Sequence, residues 1–274
     1  MKTATSTKLI YVYGFVPSSE VTEGKLESFV GFDGEHPIYT LEQQGITAIA
    51  CKLNDEHYSE ETLEKKTEDM KWLHEKALHH HETLKKLNKE YTLLPLHFCT
   101  VFKSEENVQE KMSSVNKELS KLFKELVGKE EWTLKIYSDE KQLKPYVEEN
   151  NKDIKTKSEE IKSLSKGRQY FERKKLERLL QEKISEEKKR LSKEIHEELS
   201  ALTSKSGIKK NWNQKVTGRQ DEMSWNSVYL IKEGDVKRFL DEVGNLGEKY
   251  KTYGLQLEAT GPWPCYYFAK VEGE

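Results

Sequence analysis

The side chains best suited to chemistry sit early in the chain. Residues 72–81 read WLHEKALHHH, and LPLHFCTVF over 94–102 adds His97 and Cys99. Imidazole and thiolate are ordinary zinc ligands, so His81, His97 and Cys99, assembled across a helix and a strand, would make a small zinc-dependent enzyme. Geometry weighs against the triplet as a unit. Adjacent helical residues point about 100° apart, so His79, His80 and His81 cannot all face one ion. His74 and His81 are seven apart and share a helical face, but no HExxH signature accompanies them. The competing reading is structural. Met70, Leu73, Ala77, His80, Leu84 and Leu87 recur at spacings of three and four, which is the buried face of an amphipathic helix beginning near Glu60. His80 then lies in the stripe and is hydrogen-bonded inside the domain, while His79 and His81 meet solvent or the sheet margin. This second reading is the stronger.

Other chemistry finds less support. No serine sits in a G-x-S-x-G elbow, and the apolar surroundings of Cys99 oppose a stabilised thiolate. GFDGEH lacks the further glycine and the lysine of a phosphate-binding loop, so Asp33 and Glu35 are expected to shape a turn. KKNWNQK over 209–215 interleaves basic and aromatic residues, but a net charge of −2 supplies no field to gather nucleic acid. TGPWPCYYF places Trp263 between two prolines, which stiffen the turn around a large ring. Trp263 either caps a core or anchors a partner.

These groups must be carried by recognisable elements. KLIYVYGFV over 8–16 alternates as a strand, and a turn-rich connection containing Gly31, Gly34 and Pro37 follows. ITAIACKL at 46–53 is apolar on both faces and reads as a central strand. YTLLPLHFCTVF at 91–102 reads as a strand with an edge or bulge near Pro95, placing His97 and Cys99 on one face. Ser104 opens a helix that runs to about Val127, where Gly128 ends it. EWTLKIYS at 131–138 is a half-buried strand with Trp132, Leu134 and Ile136 inward. Dense lysine and glutamate fill 150–205, and a helix over 168–203 carries the stripe Phe171, Leu176, Leu180, Ile184, Leu191, Ile195, Leu199 and Leu202. The stripe lapses at Glu187 and Lys188, so a continuous coiled-coil seam is not assured. SWNSVYLI at 224–231 is a strand, Gly234 to about Tyr250 a helix, and YGLQLEATG and CYYFAKV are two closing strands joined at GPWP.

The fold class is therefore α+β: two domains, 1–138 and 139–274, with ferredoxin-like-related sheets covered by helices and a long charged helix in the second half. With 35% hydrophobic and 34% charged residues, the composition suits compact sheets plus solvated helices. No stretch approaches the roughly 18 apolar residues of a membrane span, and the N-terminus does not read as a signal peptide. Cys51, Cys99 and Cys265 are an odd, widely spaced set, expected to be small buried hydrophobes in a reducing compartment. A soluble, cytoplasmic protein is expected.

Taken in order, LIYVYGFV, ITAIACKL, W-x4-A-x-x-H-x-E-T-L, LPLHFCTVF, EWTLKIY, SKGRQYF, WNSVYLI and TGPWPCYYF resemble the gas vesicle protein F/L family over nearly the whole chain. GFDGEHPIY, the HHHE run and KKNW look most like its L members. The chain departs from the family pattern at Lys166, Cys99 and Cys265, where proline, glycine and a second proline are frequent. The resemblance implies two α+β domains, the second ferredoxin-related, with no catalytic activity and no cofactor. It implies an accessory or minor structural role in gas vesicle assembly, at the gas vesicle, in contact with the major hydrophobic shell protein and other gas vesicle accessory proteins. Nucleic acid and membrane are not expected partners. Arg168, Tyr170, Trp212 and Trp263 are the candidate partner-binding residues. The rivals are the zinc enzyme above and a generic coiled-coil oligomerisation adaptor built on helix 168–203.

Overall fold

The computed structural model describes residues 8–22, 26 and 29–269. The chain forms two compact units: the described residues up to Lys129 together with those from Trp263 onward, and Glu130–Pro262.

The first unit begins with β1 (Lys8–Pro17), β2 (Ile38–Gln43) and β3 (Ile46–Asn54). Gln44 and Gly45, both at positive φ, make the two-residue turn that closes the β2–β3 hairpin. Three helices follow, α1 (Asp55–Tyr58), α2 (Glu60–Glu68) and α3 (Met70–Asn88), then the short β4 (Leu94–Pro95) and β5 (Val101–Phe102). The helices α4 (Glu105–Ser114) and α5 (Asn116–Leu126) complete it. The strand order is β2-β3-β1-β4, with β5 also on β1, so β3 is interior as its two-faced apolar sequence requires. Pro95 lies in an edge strand, where its missing N–H costs nothing.

Three expectations change here. The turn-rich connection contains a strand, β2, whose polar Thr40, Glu42 and Gln43 hide it from a periodicity search. The strand expected over 91–102 is two short bridges separated by a turn, and Cys99 sits in that turn at φ +64. His97 and Cys99 therefore do not share a strand face. The helix expected over 104–127 is likewise two helices, broken at Val115.

β1 carries a bulge between Val12 and Gly14, and a Cβ at Gly14 would stand 2.5 Å from the Leu94 carbonyl oxygen. Gly14→Ala must therefore push β4 away from β1. A loss of about 2 kcal/mol is expected, within the range for overpacking, and a urea titration with unchanged m-value checks it.

The second unit runs β6 (Lys129–Ser138), α6 (Glu140–Asn150), α7 (Lys152–Lys162), α8 (Lys166–Ser200), β7 (Lys205–Ile208), α9 (Gln214–Thr217), β8 (Glu222–Lys232), α10 (Val236–Lys251) and β9 (Leu255–Trp263). Its strand order, β7-β8-β6-β9, with helices between β6 and β7 and between β8 and β9, is the split βαβ arrangement of a ferredoxin-like fold. The first sheet has the same order, with the connection 18–37 in place of the first helix. The units differ from the expected division 1–138 and 139–274 at two places. β6 lies between β8 and β9, and the chain from Trp263 belongs with the first unit.

At 35 residues α8 is roughly 50 Å long. Leu180, Ile184, Leu191, Ile195 and Leu199 are buried, joining Trp225, Tyr229, Phe239 and Leu246 in the unit's core. The stripe does not lapse at Lys188. That side chain is buried too, and its Nζ lies 3.0 Å from Glu140 Oε1, on the first residue of α6, and 2.6 Å from Glu222 Oε2, on the first residue of β8. Burial alone would lower the Lys188 pKa, but the hydrogen bonds and charges of Glu222 and Glu140 outweigh it and raise it. Phe171 departs the other way: expected in the stripe, it is 67% exposed. The second closing strand, CYYFAKV, is also corrected. Cys265–Ala269 form a turn closed by Ala269 N–H to the Cys265 carbonyl (3.0 Å), and the remainder lies outside the described residues.

Candidate partner-binding surfaces

The histidine run folds into the first unit's aromatic core. Tyr11 and Tyr13, both fully buried on β1, reach α3, where the Tyr11 hydroxyl meets His80 Nδ1 at 2.7 Å and the Tyr13 hydroxyl meets His79 Nε2 at 3.1 Å. Tyr11 stacks on Phe32 at 4.1 Å, and His80 lies parallel to Tyr13 at 5.7 Å. Burial raises the Tyr11 pKa steeply, so its hydroxyl keeps its proton; it accepts from the Cys99 N–H and shares a hydrogen bond with His80 Nδ1. Burial also drives the His80 pKa down to about 4. These are the properties of a neutral structural imidazole. The second unit repeats the device, with His196 Nδ1 of α8 2.9 Å from the buried hydroxyl of Tyr229 on β8.

The proposed zinc ligands do not assemble. His81 is half-buried with its ring 5.6 Å from that of Trp263, His97 is exposed, and burial pushes the Cys99 thiol up to about 11. Among the described residues the one set of three donor side chains close enough to share an ion is Asp33, Glu35 and His36. Asp33 Oδ1 there accepts from the Glu35 and His36 N–H groups at 3.0 Å, and Oδ2 pairs with His36 Nδ1. The carboxylate closes its own turn, as the sequence suggests. None of the three cysteines is in a disulfide; Cys51 and Cys265 are buried and Cys99 half-buried.

Exposed apolar side chains are the more informative feature. On the first turns of α8, Tyr170 and Phe171 are 59% and 67% exposed and meet edge to face at 5.6 Å, with Lys174 Nζ 4.9 Å from the Tyr170 ring. Arg168, two residues earlier, is exposed as well. Gln169 Nε2 donates to the Leu164 carbonyl at 2.8 Å, tying this end of α8 to the turn after α7 and holding the pair in place. Trp212 stands elsewhere on the same unit, in the segment after β7. Its backbone N–H donates to Met223 Sδ at 3.3 Å, Lys135 Nζ lies 4.6 Å from its ring, and Ile208 and Val216, four residues to either side, are exposed. The first unit offers a groove of about 690 Å³ with Leu63, Cys99, Val101 and Phe102 along its apolar lining and Asp55 and Glu64 among its polar residues. Arg168 and Tyr170 thus lie two residues apart on α8, pointing to different sides of the helix, Trp212 stands in another segment of the same unit, and Trp263 packs on His81 in the first unit. Phe171, Ile208 and Val216 are further exposed apolar residues that the sequence pattern does not mark as surface. Sequence spacing shows that a residue is apolar, not whether its face is covered.

The model of the gas vesicle synthesis protein GvpL/GvpF family matches residues 9–270. The chain belongs to this family. The GvpL/GvpF chain is 24% identical over 268 residues to gas vesicle protein L of Streptomyces sp. (strain CB03234), covering 97% of this chain and 95% of that protein. Its fold matches the crystal structure of gas vesicle protein GvpF from Anabaena sp. PCC7120 with a TM-score of 0.72 at 21% identity, over 96% of this chain and 99% of that one. It also matches GvpF from Microcystis aeruginosa with a TM-score of 0.67 at 20% identity, over 97% and 100%. The α+β reading and the family resemblance stand on these findings. No helix of this GvpL/GvpF chain is, among the described residues, long and apolar enough to cross a membrane.

Proposed function

We propose that the protein is a non-enzymatic accessory or minor structural protein of gas vesicle assembly, binding the small hydrophobic shell protein and other gas vesicle accessory proteins in the cytoplasm and at the vesicle. The observation that carries this reading is the Tyr170–Phe171 pair, two large rings left uncovered on a helix end fixed by its own hydrogen bonds. Ordered aromatic side chains lose little entropy on docking and serve as anchors. A shell subunit exposes apolar surface before incorporation, and such surface aggregates unless covered. Arg168 and Tyr170 on α8, with Trp212 and Trp263, are the proposed contact residues. The family supports the assignment to gas vesicles.

Co-precipitation of each protein of the gas vesicle cluster with the purified chain tests this. The shell protein and at least one accessory protein are expected to be retained. Tyr170→Ser with Phe171→Ser is expected to weaken retention of the shell protein about tenfold or more, as loss of an aromatic anchor does. The thermal midpoint is expected to hold, since exposed substitutions change stability by only about 0.5 kcal/mol. Retention of no cluster protein would refute the reading.

A further inference from the structure

The β7 edge and the segment after it combine three properties that point to one kind of partner. Among the described residues β7 is the terminal strand of its sheet, with β8 as its one strand neighbour, which leaves one side of its backbone for a further strand. Ile208, Trp212 and Val216 are 56%, 45% and 64% exposed. The charge there is of one sign: Lys205, Lys209, Lys210 and Lys215 fall in a stretch, Ala201 to Gln220, without aspartate or glutamate. Lys209, Lys210 and Lys215 form no ion pair among the described residues, whereas Arg219 is held by Asp221 at 2.9 Å and Glu258 at 3.2 Å. The segment is also well held. Asn226 Nδ2 donates to the Lys210 carbonyl at 2.9 Å, Asn211 Nδ2 to the Met223 carbonyl at 3.0 Å, and Asn213 caps α9 through the Val216 N–H at 3.1 Å.

We propose that the β7 edge accepts an extended, acidic segment of a partner protein as a fifth strand of the second sheet. Main-chain hydrogen bonds to β7 supply the attachment, alternate apolar side chains of the incoming strand lie along Ile208 and Trp212, and its carboxylates meet the lysines. A second copy of this chain fits poorly, because pairing two β7 edges sets lysine against lysine. The proposal deepens the partner-binding reading by assigning a surface and a partner chemistry to it.

The probe is a fluorescein-labelled synthetic peptide of about eight residues alternating valine or threonine with glutamate, titrated against the full chain at low salt. Three controls accompany it: the same peptide with lysine for glutamate, the same peptide with alternate backbone amides N-methylated, and a single-stranded DNA oligomer of equal charge. The acidic peptide is expected to bind at least about tenfold tighter than the lysine peptide, since complementary charge sets partner choice. Its binding is expected to fall about tenfold with N-methylation and with the Lys209→Glu/Lys210→Glu variant, and to weaken as salt screens the lysines. Amide exchange at Lys205–Ile208 is expected to slow when it binds. Absence of binding, equal affinity for the lysine or N-methylated peptide, or DNA competing equally well would overturn the proposal. Peptide binding without retention of any gas vesicle protein would count against the functional reading alone. The reverse would count against this edge alone.

Discussion

Replacing Glu140 and Glu222 together by glutamine is expected to destabilise the protein by about 3 kcal/mol, while Lys188→Met is expected to change stability by less than about 1 kcal/mol. The asymmetry follows from where the charges sit. Lys188 is buried in the stripe of α8 between Ile184 and Leu191, and its ammonium is held by one glutamate from α6 and one from β8. Neutralising both partners strands a cation that the fold keeps from water, and the cost is the uncompensated desolvation. The two glutamates are about half exposed, at 43% and 55%, so water reaches the edge of the site and the loss stays near the low end for a buried pair. Removing the lysine instead returns two surface carboxylates to solvent and extends an apolar stripe. Urea midpoints of the wild type, the glutamine pair, Lys188→Met and the triple variant form the cycle. Most of the 3 kcal/mol is expected to vanish in the methionine background, and an equal cost in both backgrounds would show that the ion pairs do not carry it.

Acidification from pH 6.5 towards 4 is expected to remove about 3 kcal/mol of stability through His80 alone. An unfolded histidine protonates near pH 6.5, whereas burial holds folded His80 at about 4. Between those values the unfolded chain binds the proton and the folded chain does not. The stabilisation is therefore complete above pH 6.5, falls through the window, and levels off below 4. The size is the pKa difference at about 1.4 kcal/mol per unit. His79 and His196, both lowered by burial, act in the same direction. Carboxylates titrate chiefly below pH 5, so the interval from 6.5 to 5 isolates the histidines. His80→Gln keeps a polar partner for Tyr11 and removes the titration. Chemical denaturation at pH 7.5, 6 and 5 is expected to show a shallower slope for this variant, and an unchanged slope would remove His80 from the account.

The elements legible in the sequence are those whose side-chain period matches a buried face. β3 is apolar on both faces, β8 is buried on both with Trp225, Val228, Tyr229, Leu230 and Ile231, and α10 repeats Phe239, Val243, Leu246 and Tyr250 along one side. The missed elements are those with sparse or polar burial. β2 is an edge strand with exposed polar positions, β7 is nearly all exposed, and α6 and α7 bury only Leu143 with Val147 and Ile154 with Ile161 amid lysine and glutamate. In 91–102 apolar alternation misled, because those side chains are covered by tertiary neighbours while the backbone turns at Cys99. Lys188 was unreadable for a different reason. Its two partners are 48 and 34 residues away, and one lysine among many carries no mark of burial. The surfaces were half legible: Tyr170 and Trp212 stood out as residue types, but Phe171, Ile208 and Val216 acquire meaning only once the packing around them is known.

The most direct measurement follows light scattering as denatured shell protein is diluted into buffer containing this protein. Wild type at equimolar concentration is expected to suppress the rise, and Tyr170→Ser/Phe171→Ser, folded to the same midpoint, is expected to suppress it far less. Equal suppression by both, or none by the wild type, would contradict a surface that works by covering apolar side chains.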